Sequence, residues 1–165
     1  MPFVDSLLPE FDREMSITRT VLERVPDDRF AWKPHAKSYA LGQLAQHLAT
    51  IPWWGTMTLS EAGIDLAEFP PPAPLPTRAD VLALFEKNVA STRAALVGKS
   101  DAELKTQWVL TREGHVIFSM PKHAVWRSFV ISHIIHHRAQ LGVYLRLLDI
   151  PVPSTYGPSA DEGGL

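Results

Sequence analysis

The chain contains no cysteine. That excludes disulfides, thiolate metal sites and a cysteine nucleophile supplied by the protein itself. It fits a reducing compartment, and a cytoplasmic location is the expectation. No run of about 18 or more consecutive apolar residues occurs, so no transmembrane helix is expected. A surplus of charge is missing too: 16 Lys and Arg stand against 18 Asp and Glu, a formal net charge of -2. Nothing there favours nucleic acid or an anionic membrane, and neither is expected as a partner. The opening Met1-Pro2-Phe3-Val4-Asp5 has no basic segment leading into an apolar run, so no signal peptide is expected. Familiar catalytic signatures are absent as well. There is no Gly-x-Ser-x-Gly elbow, no Gly-x-Gly-x-x-Gly or Walker loop, and no His-Glu-x-x-His zinc-peptidase helix.

What is present is an ordinary globular chain. Its 165 residues are 45% hydrophobic and 21% charged, enough for one domain, 1–165, with a full core. Helical periodicity dominates. Residues 3–25 place Phe3, Leu7, Phe11, Thr18, Val21, Leu22 and Val25 near one face. Asp12, Arg13, Glu14, Arg19 and Glu23 lie mostly elsewhere, and Pro9 predicts a kink or a later start. Residues 26–38 form a connector whose Phe30 and Trp32 should tuck under the helices, with Ser38 as an N-cap. Residues 39–62 read as a second helix, with Ala40, Leu44, His47, Leu48 and Ile51 in its apolar stripe, a kink at Pro52 and a C-cap at Gly63.

Phe69-Pro70-Pro71-Pro72-Ala73-Pro74-Leu75-Pro76 is read as a stiff, extended connector; the alternative is a ligand for a proline-reading partner domain. Thr77 caps a third helix that carries Val81, Phe85, Asn88, Val89, Thr92 and Leu96 inward and ends at Gly98. Ser100-Asp101-Ala102-Glu103 resembles the cap of a short helix. The segment from Trp108 to Phe118 is read as loop with a possible hairpin around Arg112-Glu113-Gly114. Pro121 opens a last helix over 121–148, with Trp126, Phe129, Val130, His133, His137, Leu141, Tyr144 and Leu148 inward. The Pro- and Gly-rich tail is expected to be mobile at its last residues. Four long amphipathic segments without a dominant strand pattern predict an all-α four-helix bundle.

The chemistry gathers in Ser132-His133-Ile134-Ile135-His136-His137-Arg138-Ala139-Gln140-Leu141, which holds three of the seven histidines. On a helix, His133 and His137 differ by only about 40° of rotation and about 6 Å of rise, so both rings leave one face. Two such imidazoles bind one divalent ion through neutral nitrogens. His47, inward on another helix, supplies a third ligand, and three protein ligands leave positions open for water or substrate. The alternative is that all three are core histidines satisfied by hydrogen bonds. His136 flanks the site as a substitute ligand, a substrate contact or a boundary residue. Gln140 is a candidate partner for a ligand histidine. Arg138 is placed on the flank, to meet an acidic substrate group or a carboxylate. His35, His115 and His123 read as surface residues. Trp53, Trp54 and Met57 are expected to wall a cavity or form an interface; Trp126 and Tyr144 read as core, although Trp126 is also a candidate for the pocket wall.

Three segments carry a resemblance: Leu44-Ala45-Gln46-His47-Leu48, His133 to Arg146, and Ile150-Pro151-Val152-Pro153-Ser154-Thr155-Tyr156-Gly157-Pro158-Ser159-Ala160-Asp161-Glu162. They resemble the DinB-like (damage-inducible) superfamily. The resemblance implies a four-helix bundle, often dimeric, with a divalent metal held by three histidines that match His47, His133 and His137. Ala139 stands where the family often has Gly, a difference a helix tolerates. The superfamily includes transferases and isomerases that use low-molecular-weight thiols, and metal-dependent hydrolases. The implied activity is transfer of such a thiol, as a metal-bound thiolate, to an electrophilic small-molecule substrate. Hydrolysis by metal-bound hydroxide and a non-catalytic metal-binding stress-response role are the alternatives. Three imidazoles suit zinc, nickel, iron and copper, and zinc or nickel is the expected ion. A homodimer is expected from the family and from the Trp53-Trp54 pair.

Overall fold

A computed structural model describes residues 2–163. Its long helices are α1 (Phe3–Leu22), α2 (Leu41–Ser60), α3 (Arg78–Leu96) and a final rod that begins with α5 (Lys122–Val125) and ends with α6 (His133–Leu147). Between α3 and the rod lie a short helix α4 (Asp101–Lys105) and strands β2 (Gln107–Arg112) and β3 (His115–Pro121); β1 (Gly63–Asp65) comes directly after α2. The chain is mostly helical, but the all-α expectation is corrected by a three-stranded sheet in the order β1-β2-β3.

The sheet grows from local chemistry. Arg112 pairs with His115 across a two-residue turn, and both turn residues have positive φ, Glu113 at 51° and Gly114 at 76°. That is the tight turn whose twist suits a hairpin. Asp65 secures it by accepting the backbone N–H groups of Glu113 (3.0 Å) and Gly114 (2.8 Å). β1 joins β2 in parallel, with Gly63 opposite Val109. A Cβ on Gly63 would lie 2.3 Å from the Val109 carbonyl oxygen, so close backbone approach, not a helix C-cap, explains this glycine. The inner side of the sheet contributes Trp108, Leu110 and Ile64 to a small core with Val125.

The main core is the contact of α1, α2, α3 and the rod, filled by residues such as Phe11, Leu22, Leu44, Leu48, Phe85, Trp126 and Leu141. Phe30 and Trp32 do tuck against it. Their connector also caps α2: Leu41 N–H donates to the Trp32 carbonyl (2.9 Å) and Gly42 N–H to that of Phe30 (3.0 Å). Gln43 Oε1 accepts from Ala40 N–H at 2.9 Å, so the cap lies at Ala40 and not at Ser38. Gly42 leaves room for Phe30, whose ring a Cβ there would approach to 2.6 Å. Both Pro9 and Pro52 lie inside continuous helices. Ser100 and Glu103 form the expected capping box of α4. The adjacent Asp101 accepts Phe3 N–H at 2.7 Å, capping α1 from across the fold.

The last rod departs most from its expected phase. Pro121 precedes it in an extended conformation, and Trp126–Ser132 is wound as a π-helix before α6 begins. The wider turn changes the rotational phase of α6. The buried ridge becomes Trp126, Val130, Ile131, Ile134, Arg138, Leu141 and Leu145. His133 and His137 therefore sit half-buried at its edge, and Arg138 goes inside. The tail to Gly163 is tied down, with Val152 N–H donating to Asp161 (2.8 Å) and Arg24 paired with Glu162 (2.7 Å). The expected mobility of the terminal residues falls on Gly164 and Leu165, which lie outside the described residues.

Candidate metal centre

Leu44, Ala45, Leu48 and Ala49 are buried and fix the rotation of α2. That rotation leaves His47 half-buried, facing the histidine edge of α6. His47, His133 and His137 each offer a ring nitrogen, and these atoms lie within 4.8 Å of one another. The Nε2 atoms of His47 and His133 are 3.2 Å apart. Imidazole nitrogens about 2.0–2.1 Å from a shared tetrahedral ion would be about 3.3 Å apart, so this spacing fits ligation. The rings approach edge to face around a common centre, with His47 centroids 5.0 Å from His133 and 4.5 Å from His137.

The surroundings prepare the nitrogens. His137 Nδ1–H donates to Gln140 Oε1 at 2.7 Å, which leaves the ring's free lone pair on Nε2. Gln140 thus has the orienting contact expected of it. Burial, then the neighbouring His137 and His133, push the His47 pKa from 6.5 down to about 4. His133 and His137 are also lowered, with burial the leading cause for each. At neutral pH all three are uncharged, the form that ligates a cation. The donor set thus fits a divalent ion.

His136 is exposed; its ring lies 4.8 Å from that of His137 but it does not join the group. Arg138 is not on the flank. It is 3% exposed and reaches Glu14, the acid of α1 that also proves to be buried. Nη2 donates to Glu14 Oε2 (2.7 Å) and Tyr156 OH (2.7 Å), and Nη1 to the Glu14 carbonyl (3.0 Å) and Thr18 Oγ1 (3.1 Å). Tyr156 OH donates to Glu14 in turn, so this cluster pins the tail to the bundle. The signal was available: Glu14 lies between Phe11 and Thr18 on the inward stripe of α1, and Arg138 lies four residues from Ile134 and three from Leu141.

Beside His47 opens a cleft of about 250 Å³, walled by Tyr39, Gln43, Gln46, Thr50 and the strap prolines Pro71, Pro72 and Pro74. Trp53, Trp54 and Trp126 do not line it. Trp53 packs on Phe69 and Trp54, both indoles are half-buried, and Trp126 is fully buried in the core. Tyr144 is half-buried against the core, edge-on to Trp32. His35 and His115 are exposed as expected, whereas His123 is half-buried on Phe3 and contacts the Leu104 carbonyl.

Fold and site together define a mostly helical bundle with a three-histidine group that could hold a metal ion. The sequence model of the DinB family matches residues 1–163, and the chain belongs to that family. It is 29% identical over 168 residues to YrdA of Bacillus subtilis, a protein described as uncharacterized, covering 96% of this chain and 91% of YrdA. A DinB-like protein from Bacillus cereus has the same fold, with a TM-score of 0.70 and 20% identity over 94% of this chain and 98% of that one. The DinB-like protein YjoA of Bacillus subtilis superposes with a TM-score of 0.68 and 18% identity, covering 88% and 95% of the two chains.

Proposed function

We propose that this protein is a metal-dependent enzyme that transfers a low-molecular-weight thiol to an electrophilic small molecule. His47, His133 and His137 would hold the ion, with zinc or nickel the best candidates. When bound, such an ion supplies Lewis acidity and lowers the pKa of a ligating thiol or water. The chain's own residues orient the site: Gln140 fixes the His137 tautomer, and the buried stripe of α2 aims His47. The observation that carries the reading is the composition of the adjoining cleft. None of its lining residues is an Asp, Glu or Cys. It therefore offers no carboxylate as general base for a water and no thiol of its own, which favours a nucleophile brought in as a thiol.

The reading includes a single-domain cytoplasmic protein acting as a homodimer on a small molecule, without nucleic acid or membrane. The near-neutral charge supports it, and among the described residues no helix is long and apolar enough to cross a membrane. The test is turnover by zinc- or nickel-loaded protein with a panel of thiols and an alkylating electrophile, read as thioether product by mass. Metal-dependent product that disappears in His133→Ala supports the proposal. Cleavage of esters or amides without thiol would replace it with hydrolysis, and no turnover of either kind would leave a non-catalytic metal-binding protein.

A further inference from the structure

The Pro70–Pro76 stretch does more than span a gap between helices. Gln46 is 7% exposed and one residue from His47. Its Nε2 donates to the Ala73 carbonyl at 2.8 Å and its Oε1 accepts Leu75 N–H at 2.9 Å. Both ends of one buried amide are thus spent on the strap, on either side of Pro74. Prolines already restrict φ, so little freedom remains for this segment once its polar backbone is clamped. The strap is a fixed wall, and Pro71, Pro72 and Pro74 face the cleft that His47 and Tyr39 also line.

We infer that this cleft is the binding subsite for the electrophile and takes a small uncharged molecule carrying a ring. The inference rests on the proposed function for the role of the ligand, but not for its chemistry. The walls are three pyrrolidine rings, the Tyr39 phenol, an imidazole and three neutral polar side chains. Flat apolar surfaces of this kind match a ring face. No lining side chain carries a counter-charge for an ionic ligand. At about 250 Å³ the space lies below the usual range for drug-sized ligands, about 300–1,000 Å³, which favours a single-ring molecule. Gln46 lines the cleft and also holds the strap in place.

The test uses metal-free protein, so that no probe is drawn to an ion, with benzamide, benzoate and acetamide titrated by NMR. Benzamide should shift the signals of Tyr39, Gln43 and Thr50, and benzoate and acetamide should bind at least about tenfold more weakly. Gln46→Ala should weaken benzamide at least about fivefold, because a loosened strap must be re-ordered on binding. Pro72→Gly, on the exposed strap, should weaken it in the same direction without touching the core. Zinc stoichiometry should be unchanged in both variants, which also reports that they fold. Equal binding of benzamide and benzoate, benzamide shifts elsewhere or none, or full benzamide affinity in both variants would overturn the inference. Failure of the parent to bind zinc while benzamide still occupies the cleft would sink the metal reading alone.

Discussion

The two sides of α6 carry polar clusters of opposite kinds. On one, Arg138, Glu14, Thr18 and Tyr156 exchange hydrogen bonds across a buried ion pair. On the other, three imidazoles of one kind crowd together with their pKa values lowered, and two of their nitrogens are only 3.2 Å apart. The first cluster is complementary within itself and needs nothing further. The second brings together three uncharged imidazoles, with a single proton at most shared between His47 and His133, an arrangement that a cation can complete. Burial alone does not separate structure from site here: the structural cluster is the more buried of the two. Self-sufficiency does.

That contrast predicts different responses to mutation. The largest effect belongs to Glu14→Ala, which strands the Arg138 charge inside the protein. It should cost about 3–5 kcal/mol in denaturant unfolding, while replacing the pair together by Leu and Met should recover most of the loss. Recovery would show that the cluster is structural, and a functional role would appear as metal or activity lost in the stable double variant. His47→Ala should do the reverse. We expect at least about a hundredfold loss of zinc affinity by competition titration, with metal-free stability changed by less than about 1 kcal/mol. A smaller change is expected for Gln140→Ala, which frees the His137 tautomer and should weaken zinc by about 10–100-fold.

A pH dependence should accompany these changes. The unfolded chain protonates His47 near 6.5, whereas the folded, metal-free chain resists until about 4. Stability from this group is complete above the unfolded value and falls as pH drops through that window. His133 and His137 act in the same direction. Metal-free parent should therefore lose stability between about pH 6.5 and pH 4 more steeply than His47→Ala, as thermal melts across that range would show.

The helices and the histidine group were legible because both are periodic: spacing alone put His133 and His137 on one helical face, and the stripe around Leu44 and Leu48 brought His47 towards them. The sheet was less legible. β1 is three residues long and exists because Gly63 lets it approach Val109, a contact distant in sequence. The π-helical turns before His133 were not legible either, although the spacing that puts Arg138 on one face with Ile134 and Leu141 was. Gln46 gave no sign of its clamp, since its partners Ala73 and Leu75 are backbone groups and backbone groups carry no sequence signature. Resemblance to the DinB family supplied the fold expectation that periodicity had also reached, but neither route anticipated how the strap walls the site.

The central claim is that the histidine cluster is open for a metal whereas the arginine cluster is closed. Elemental analysis of protein purified without an affinity tag or chelator, beside His133→Ala, tests it most directly. About one zinc or nickel per parent chain, and little in the variant, is the expected result. A parent that arrives empty and takes up neither ion when offered would contradict it, and would make the three imidazoles a structural feature of the helix edge.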